Sequence, residues 1–101
     1  MAITSVPSAD GQELTIVVQG RFDFGAHQEF RNAYERVDIT PKRYVVDLIG
    51  ATYLDSSALG MLLLVKEKVS AVNKSLALVN CEDSVRQVLE IACFGKIFSI
   101  R

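Results

Sequence analysis

The stretch RYVVDLIGATYLDSSALGMLLL, Arg43 to Leu64, holds two regular elements with an acid and two serines at the joint. Its opening, Arg43 to Gly50, is mostly apolar and rich in branched residues, too short for a helix and suited to a central strand covered on both faces. From Ser56 the period changes. At about 100° per residue Ala58, Met61, Leu62, Val65, Val69 and Val72 fall on one stripe of ordinary core width, which predicts a helix from near Ser56 to Val72. A strand feeding directly into a helix is the building unit of a layered α/β fold.

The flanking sequence repeats that unit. ELTIVVQG, Glu13 to Gly20, sets Leu14, Ile16 and Val18 on one face at period two, and Asp10-Gly11 before it is a hairpin signal. Ile3 to Val6 is therefore predicted to pair antiparallel with it. Between Gly25 and Val37, the residues Ala26, Phe30, Ala33, Tyr34 and Val37 share a helical stripe, with Gln28, Arg31, Asn32, Glu35 and Arg36 away from it. SLALVN, Ser75 to Asn80, reads as another buried strand. Val85, Val88, Leu89, Ala92 and Cys93 form a third stripe, with Asp83 or Ser84 as capping candidate. KIFSI closes the chain as a short strand. The order β-β-α-β-α-β-α-β defines an α/β class: a small mixed sheet of four to five strands packed with α-helices, with functional groups expected at the carboxyl ends of the strands.

Composition narrows the function. Half of the residues are hydrophobic, enough for one core without disulfide or metal, so a single domain over residues 1–101 is expected. The turn signals Asp10-Gly11, Thr40-Pro41 and Asn73-Lys74 are short, and no linker or repeat interrupts them. A formal net charge of -1 and 11 scattered Lys and Arg give no single-sign field for nucleic acid or an anionic membrane. Cys81 and Cys93, with one histidine in the chain, do not complete a common zinc site, and two buried thiols in a reducing compartment are expected. Neither a signal peptide nor an apolar run near the ~20 residues of a membrane span is present, so the expectation is a cytoplasmic protein without membrane insertion. No Gly-rich phosphate loop of the Walker type occurs, and no cofactor is expected.

The helix after Asp55 has more apolar surface than its core stripe needs. Leu59, Gly60 and Leu63 lie nearly opposite that stripe, with Ser56 on the same side. A long loop could bury them, or they form a small patch for a partner. Gly60 favours contact, because it costs ~1 kcal/mol relative to Ala in a helix and permits close approach. Asp55, Ser56 and Ser57 are all good helix-start residues, yet capping needs only one. A triad of Ser56 or Ser57 with His27 and Asp23 can be written, but no nucleophile-elbow glycine pattern surrounds either serine. Phosphorylation suits the position better: a phosphate at a helix N-terminus meets free N–H groups and the positive end of the dipole.

These residues resemble a known family. YLDSSALGMLLL is similar to the D-S-S/T-G-L-G-x-x-x-L signature of STAS domains in bacterial anti-sigma factor antagonists. GRFDF, Gly20 to Phe24, looks like that family's G-x-L/F-D turn, and GKIFSI resembles its closing strand. The resemblance implies a non-enzymatic switch whose acceptor is Ser56, flanked by Asp23, Asp55 and Ser57, with Leu59, Gly60 and Leu63 near the partner interface. It further implies a GHKL-type serine kinase of anti-sigma character as partner, a PP2C-type phosphatase, and a monomer when free. Unphosphorylated protein binds the kinase and phosphorylated protein releases it. Ala58 departs from the family's usual glycine. Other members serve biofilm and secretion control, or act as the soluble STAS subunit of a lipid-transport complex, so a scaffold without phosphorylation is the alternative.

Overall fold

The structure is a computed structural model that describes residues 2 to 101; Met1, part of the expected 1–101 unit, lies outside the described residues. Five strands form one sheet: β1 (Ala2–Pro7), β2 (Glu13–Phe22), β3 (Arg43–Leu54), β4 (Ser75–Val79) and β5 (Ser99–Ile100), side by side in chain order. The β1–β2 pair is antiparallel and the rest are parallel, as the hairpin signal and the intervening helices require. Those helices are α1 (His27–Glu35), α2 (Ser56–Ser70) and α3 (Asp83–Ile91). The sheet is mixed and the class α/β, as expected.

Alternation decides which side the helices cover. Leu14, Ile16 and Val18 are wholly buried while Thr15 and Val17 between them are half-buried. Register carries that inner face across the sheet, from Ile16 to Val46, Leu78 and Ile100. Ala58, Met61, Leu62, Val65 and Val69 of α2, Phe30 and Ala33 of α1, and Val85 and Leu89 of α3 join these residues in one apolar cluster. The Ser5 hydroxyl donates to the Ala33 carbonyl at 2.7 Å, which ties α1 to the hairpin.

Several expectations are corrected. β3 is not covered on both faces, since Val45 and Asp47 are half-buried and Ile49 is exposed. Val72 is not core: α2 ends at Ser70, Asn73 takes a left-handed backbone (φ 58), and Val72 is 59% exposed in the turn between them. The segment 25–37 starts as a 3-10 turn, Phe24–Ala26, and its α-helix stops at Glu35. Glu82 is the residue before α3, so neither Asp83 nor Ser84 caps it. Cys81 is half-buried and Cys93 exposed, because Cys93 adopts the left-handed conformation that ends the third helical segment (φ 60). Of KIFSI only Ser99 and Ile100 pair as strand, while Phe98 packs into the core against Phe94 with centroids 5.0 Å apart.

One glycine is dictated by close approach. The β2–β3 register shifts between Val17 and Gln19, and Gly50 faces Gln19 there. A Cβ on Gly50 would lie 2.7 Å from the Gln19 Cγ and 3.2 Å from its Cα. β3 runs on past Gly50 to Leu54, and a second register shift between Gly20 and Arg21 sets Phe22 opposite Leu54, which brings Asp55 and Ser56 beside the end of β2.

Candidate functional site

β2 and β3 end together. Arg21 pairs with Tyr53 and Phe22 with Leu54, and the Asp55 amide donates to the Phe22 carbonyl at 3.4 Å. Phe22 and Leu54 are buried, so strand alternation puts Arg21, Asp23, Tyr53 and Asp55 on the outward side of the two strand ends. Both acids start the structure that follows them. Asp23 Oδ1 accepts from the Gly25 amide at 3.0 Å, opening the 3-10 turn, and Asp55 Oδ1 accepts from the Ala58 amide at 2.9 Å, capping α2.

That division of labour separates the acid from the serines. Asp55 does the capping; Ser56 is exposed and Ser57 half-buried, and among the described residues neither hydroxyl has a hydrogen-bond partner. Ser56 thus stands at the helix start with its hydroxyl available to a reagent. Ala58 is wholly buried, so the departure from glycine faces the core and leaves the serine side clear.

The face beside Ser56 is mixed. Leu59 is half-buried and packs against the core, so it contributes less free surface than its place on the helical wheel implies. Gly60 is exposed, with nothing within 4 Å of where a Cβ would stand, and Leu63 is 41% exposed. Leu64, not singled out from the sequence, is also exposed and lines a groove of about 490 Å³ with His27, Phe30, Tyr34 and Met61. Neither serine lines that groove, which His27 does. Phe24, 73% exposed, stacks on the His27 ring with centroids 6.2 Å apart.

Sequence reasoning misses Arg21 and Tyr53. Arg21 Nε lies 3.5 Å from Asp23 Oδ2, and its guanidinium carbon is 4.0 Å from the Tyr53 ring centroid. A signal is present: each residue stands two places before a site aspartate, hence on the same strand face. Among the described residues, no group of three or more His, Cys, Asp and Glu could hold a metal, and no helix is long and apolar enough to cross a membrane.

The family described as "Mlab, STAS domain" matches residues 5–99. This chain belongs to the STAS-domain family. It is similar to a STAS-domain containing protein of Pseudomonas aeruginosa (strain UCBPP-PA14), 65% identical and covering 99% of each chain. Among solved structures, a putative anti-sigma factor antagonist from Thermotoga maritima superposes with a TM-score of 0.81 at 16% identity, over 97% of this chain and 84% of that one. The anti-sigma factor antagonist SpoIIAA shares the STAS fold in its unphosphorylated form, with TM-score 0.72, 16% identity and coverage of 99% and 87%. The phosphorylated form of Bacillus SpoIIAA superposes with TM-score 0.68, again at 16% identity, covering 99% of this STAS chain and 91% of that one.

Proposed function

We propose that this STAS domain is a phosphorylation-controlled protein-binding regulator of the anti-sigma factor antagonist kind, and not an enzyme. Unphosphorylated, it binds a serine kinase of GHKL type with anti-sigma character; phosphorylation of Ser56 releases it, and a PP2C-type phosphatase restores it. The cytoplasm, where ATP and such kinases reside, is its place of action. The observation that supports this most is the capping of α2 by Asp55, which leaves the Ser56 hydroxyl exposed and unengaged at the helix start.

The energetics suit a switch. A phosphate adds nearly two negative charges next to Asp55 and Asp23 and beside the Gly60–Leu63 face. A partner using that face meets ~2–3 kcal/mol of repulsion and desolvation, worth roughly 30- to 150-fold in affinity. No refolding of the domain is needed.

A second reading keeps the face and drops the switch. The matching family's description, Mlab, STAS domain, names no anti-sigma factor antagonist, and the alternative is a constitutive STAS scaffold, such as the soluble subunit of a lipid-transport complex. Intact mass separates the two: with a candidate partner kinase and ATP the chain gains one phosphate, Ser56→Ala abolishes the gain and Ser57→Ala does not. Labelling of Ser57 alone, or of neither serine by any kinase that binds the domain, sinks the switch.

A further inference from the structure

At the ends of β2 and β3 four side chains form a two-by-two array on the outward side: Arg21 opposite Tyr53, and beyond them Asp23 and Asp55. Arg21 is the one cation of the four. Its guanidinium lies over the Tyr53 ring at 4.0 Å and its Nε is 3.5 Å from Asp23 Oδ2. Both contacts are loosely held, since the Arg21 side chain is 64% exposed and an exposed ion pair of that length contributes little.

We infer that Arg21 is the built-in counter-ion of a phosphorylated Ser56, and that phosphate captures its guanidinium from Asp23 and Tyr53. The inference rests on the proposed phosphorylation of Ser56. Ser56 follows Tyr53 by three residues, a path of at most ~10 Å, and Tyr53 stands directly across from Arg21. A phosphate offers more charge than the Asp23 carboxylate and three acceptor oxygens in a geometry that a guanidinium fits with paired hydrogen bonds. Asp23 does not follow the guanidinium, because its Oδ1 is held by the Gly25 amide.

The exchange has a consequence for recognition. In the unphosphorylated form Arg21 covers one face of Tyr53 and neutralises Asp23; after the exchange that aromatic face is bare and Asp23 is uncompensated. Modification of one hydroxyl thereby alters an aromatic, a cation and an anion together, and a partner reading any of the three distinguishes the two forms.

The test places phosphoserine at position 56 of the full chain by genetic encoding, which requires no partner kinase. A 31P NMR pH titration then compares the chain bearing Arg21 with Arg21→Gln. The phosphate of the Arg21 chain is expected to lose its second proton about half a pH unit lower or more, a difference that high salt erases. Tyr53 ring resonances are expected to shift on phosphorylation, and Arg21→Gln removes that shift. Identical titrations together with unmoved Tyr53 resonances overturn the assignment of Arg21 and leave phosphorylation of Ser56 standing. Failure of every partner kinase to label Ser56 strikes the parent reading alone, since the encoded phosphoserine measures the Arg21 contact independently.

Discussion

Asp55 holds the amide of Ala58 at 2.9 Å, and the two serines between them are spared from that task. Removing the acid therefore tests capping without touching either serine. Asp55→Ala is expected to cost ~1 kcal/mol of stability, a fall of roughly 4–8 °C in Tm for a domain of this size, whereas Asp55→Asn retains most of it. Ser56→Ala and Ser57→Ala are each expected to change the urea midpoint little. A loss of a full kcal/mol from Ser56→Ala would mean that its hydroxyl supports the helix.

Leu59 and Leu63 are separated by one helical turn but differ in surroundings. Leu63→Glu is expected to weaken binding of a partner protein at least tenfold while leaving Tm within a few degrees, since Leu63 is 41% exposed. Leu59→Ala removes a side chain that packs against the core and is expected to cost ~1–2 kcal/mol in chemical denaturation. Equal stability losses at the two sites would make the whole face structural.

Much of this arrangement is legible in the amino-acid sequence. Leu14, Ile16 and Val18, and the stripe from Ala58 to Val69, stand out because a buried face imposes its period on the chain. Val72 shares the stripe of α2 and yet lies outside the core, because the stop comes from the left-handed Asn73 and not from hydropathy. The open face of β3 is hidden for another reason: a run of branched residues looks the same whether one layer of helices packs on the sheet or two. Arg21 and Tyr53 escape notice because their partnership joins two strands, and two register shifts, one at Gly50 and one between Gly20 and Arg21, set which residues meet.

The shift at Gly50 yields its own expectation. Gly50→Ala pushes a methyl group into Gln19, so a destabilisation of about 1–3 kcal/mol should appear in urea unfolding. Gln19→Ala clears the Cγ but not the backbone, and in combination with Gly50→Ala it should recover part of the loss.

Acid should loosen the α1–α2 contact. Glu35 accepts a hydrogen bond from Lys68 and a second from Arg31 at 3.1 Å, and these hold its carboxyl below the ordinary value of 4.5. A carboxylate with a lowered folded pKa stabilises the fold above its unfolded value, and the contribution fades as pH falls through the folded pKa. The drop in urea midpoint between about pH 6 and pH 3 should therefore shrink in Glu35→Gln. An unchanged drop would assign the acid sensitivity to other carboxylates.

The two thiols should react at different rates. Burial raises the Cys81 thiol above its ordinary value, with Arg86 opposing and Asp47 adding to the shift, whereas Cys93 is exposed. Under native conditions at mildly alkaline pH, alkylation followed by peptide mapping should modify Cys93 several-fold faster. Equal rates would return Cys93 to the interior.

The neighbour order of the sheet, β1 through β5 in chain sequence, bears on how the molecule is made. Every strand docks on the one synthesised just before it, so each finds its neighbour already made when it emerges. The frame around Ser56 needs only β2, β3 and the start of α2. The elements around Ser56 are thus all synthesised before α3 and β5, and β5, the shortest strand of the sheet, is the last to join its edge.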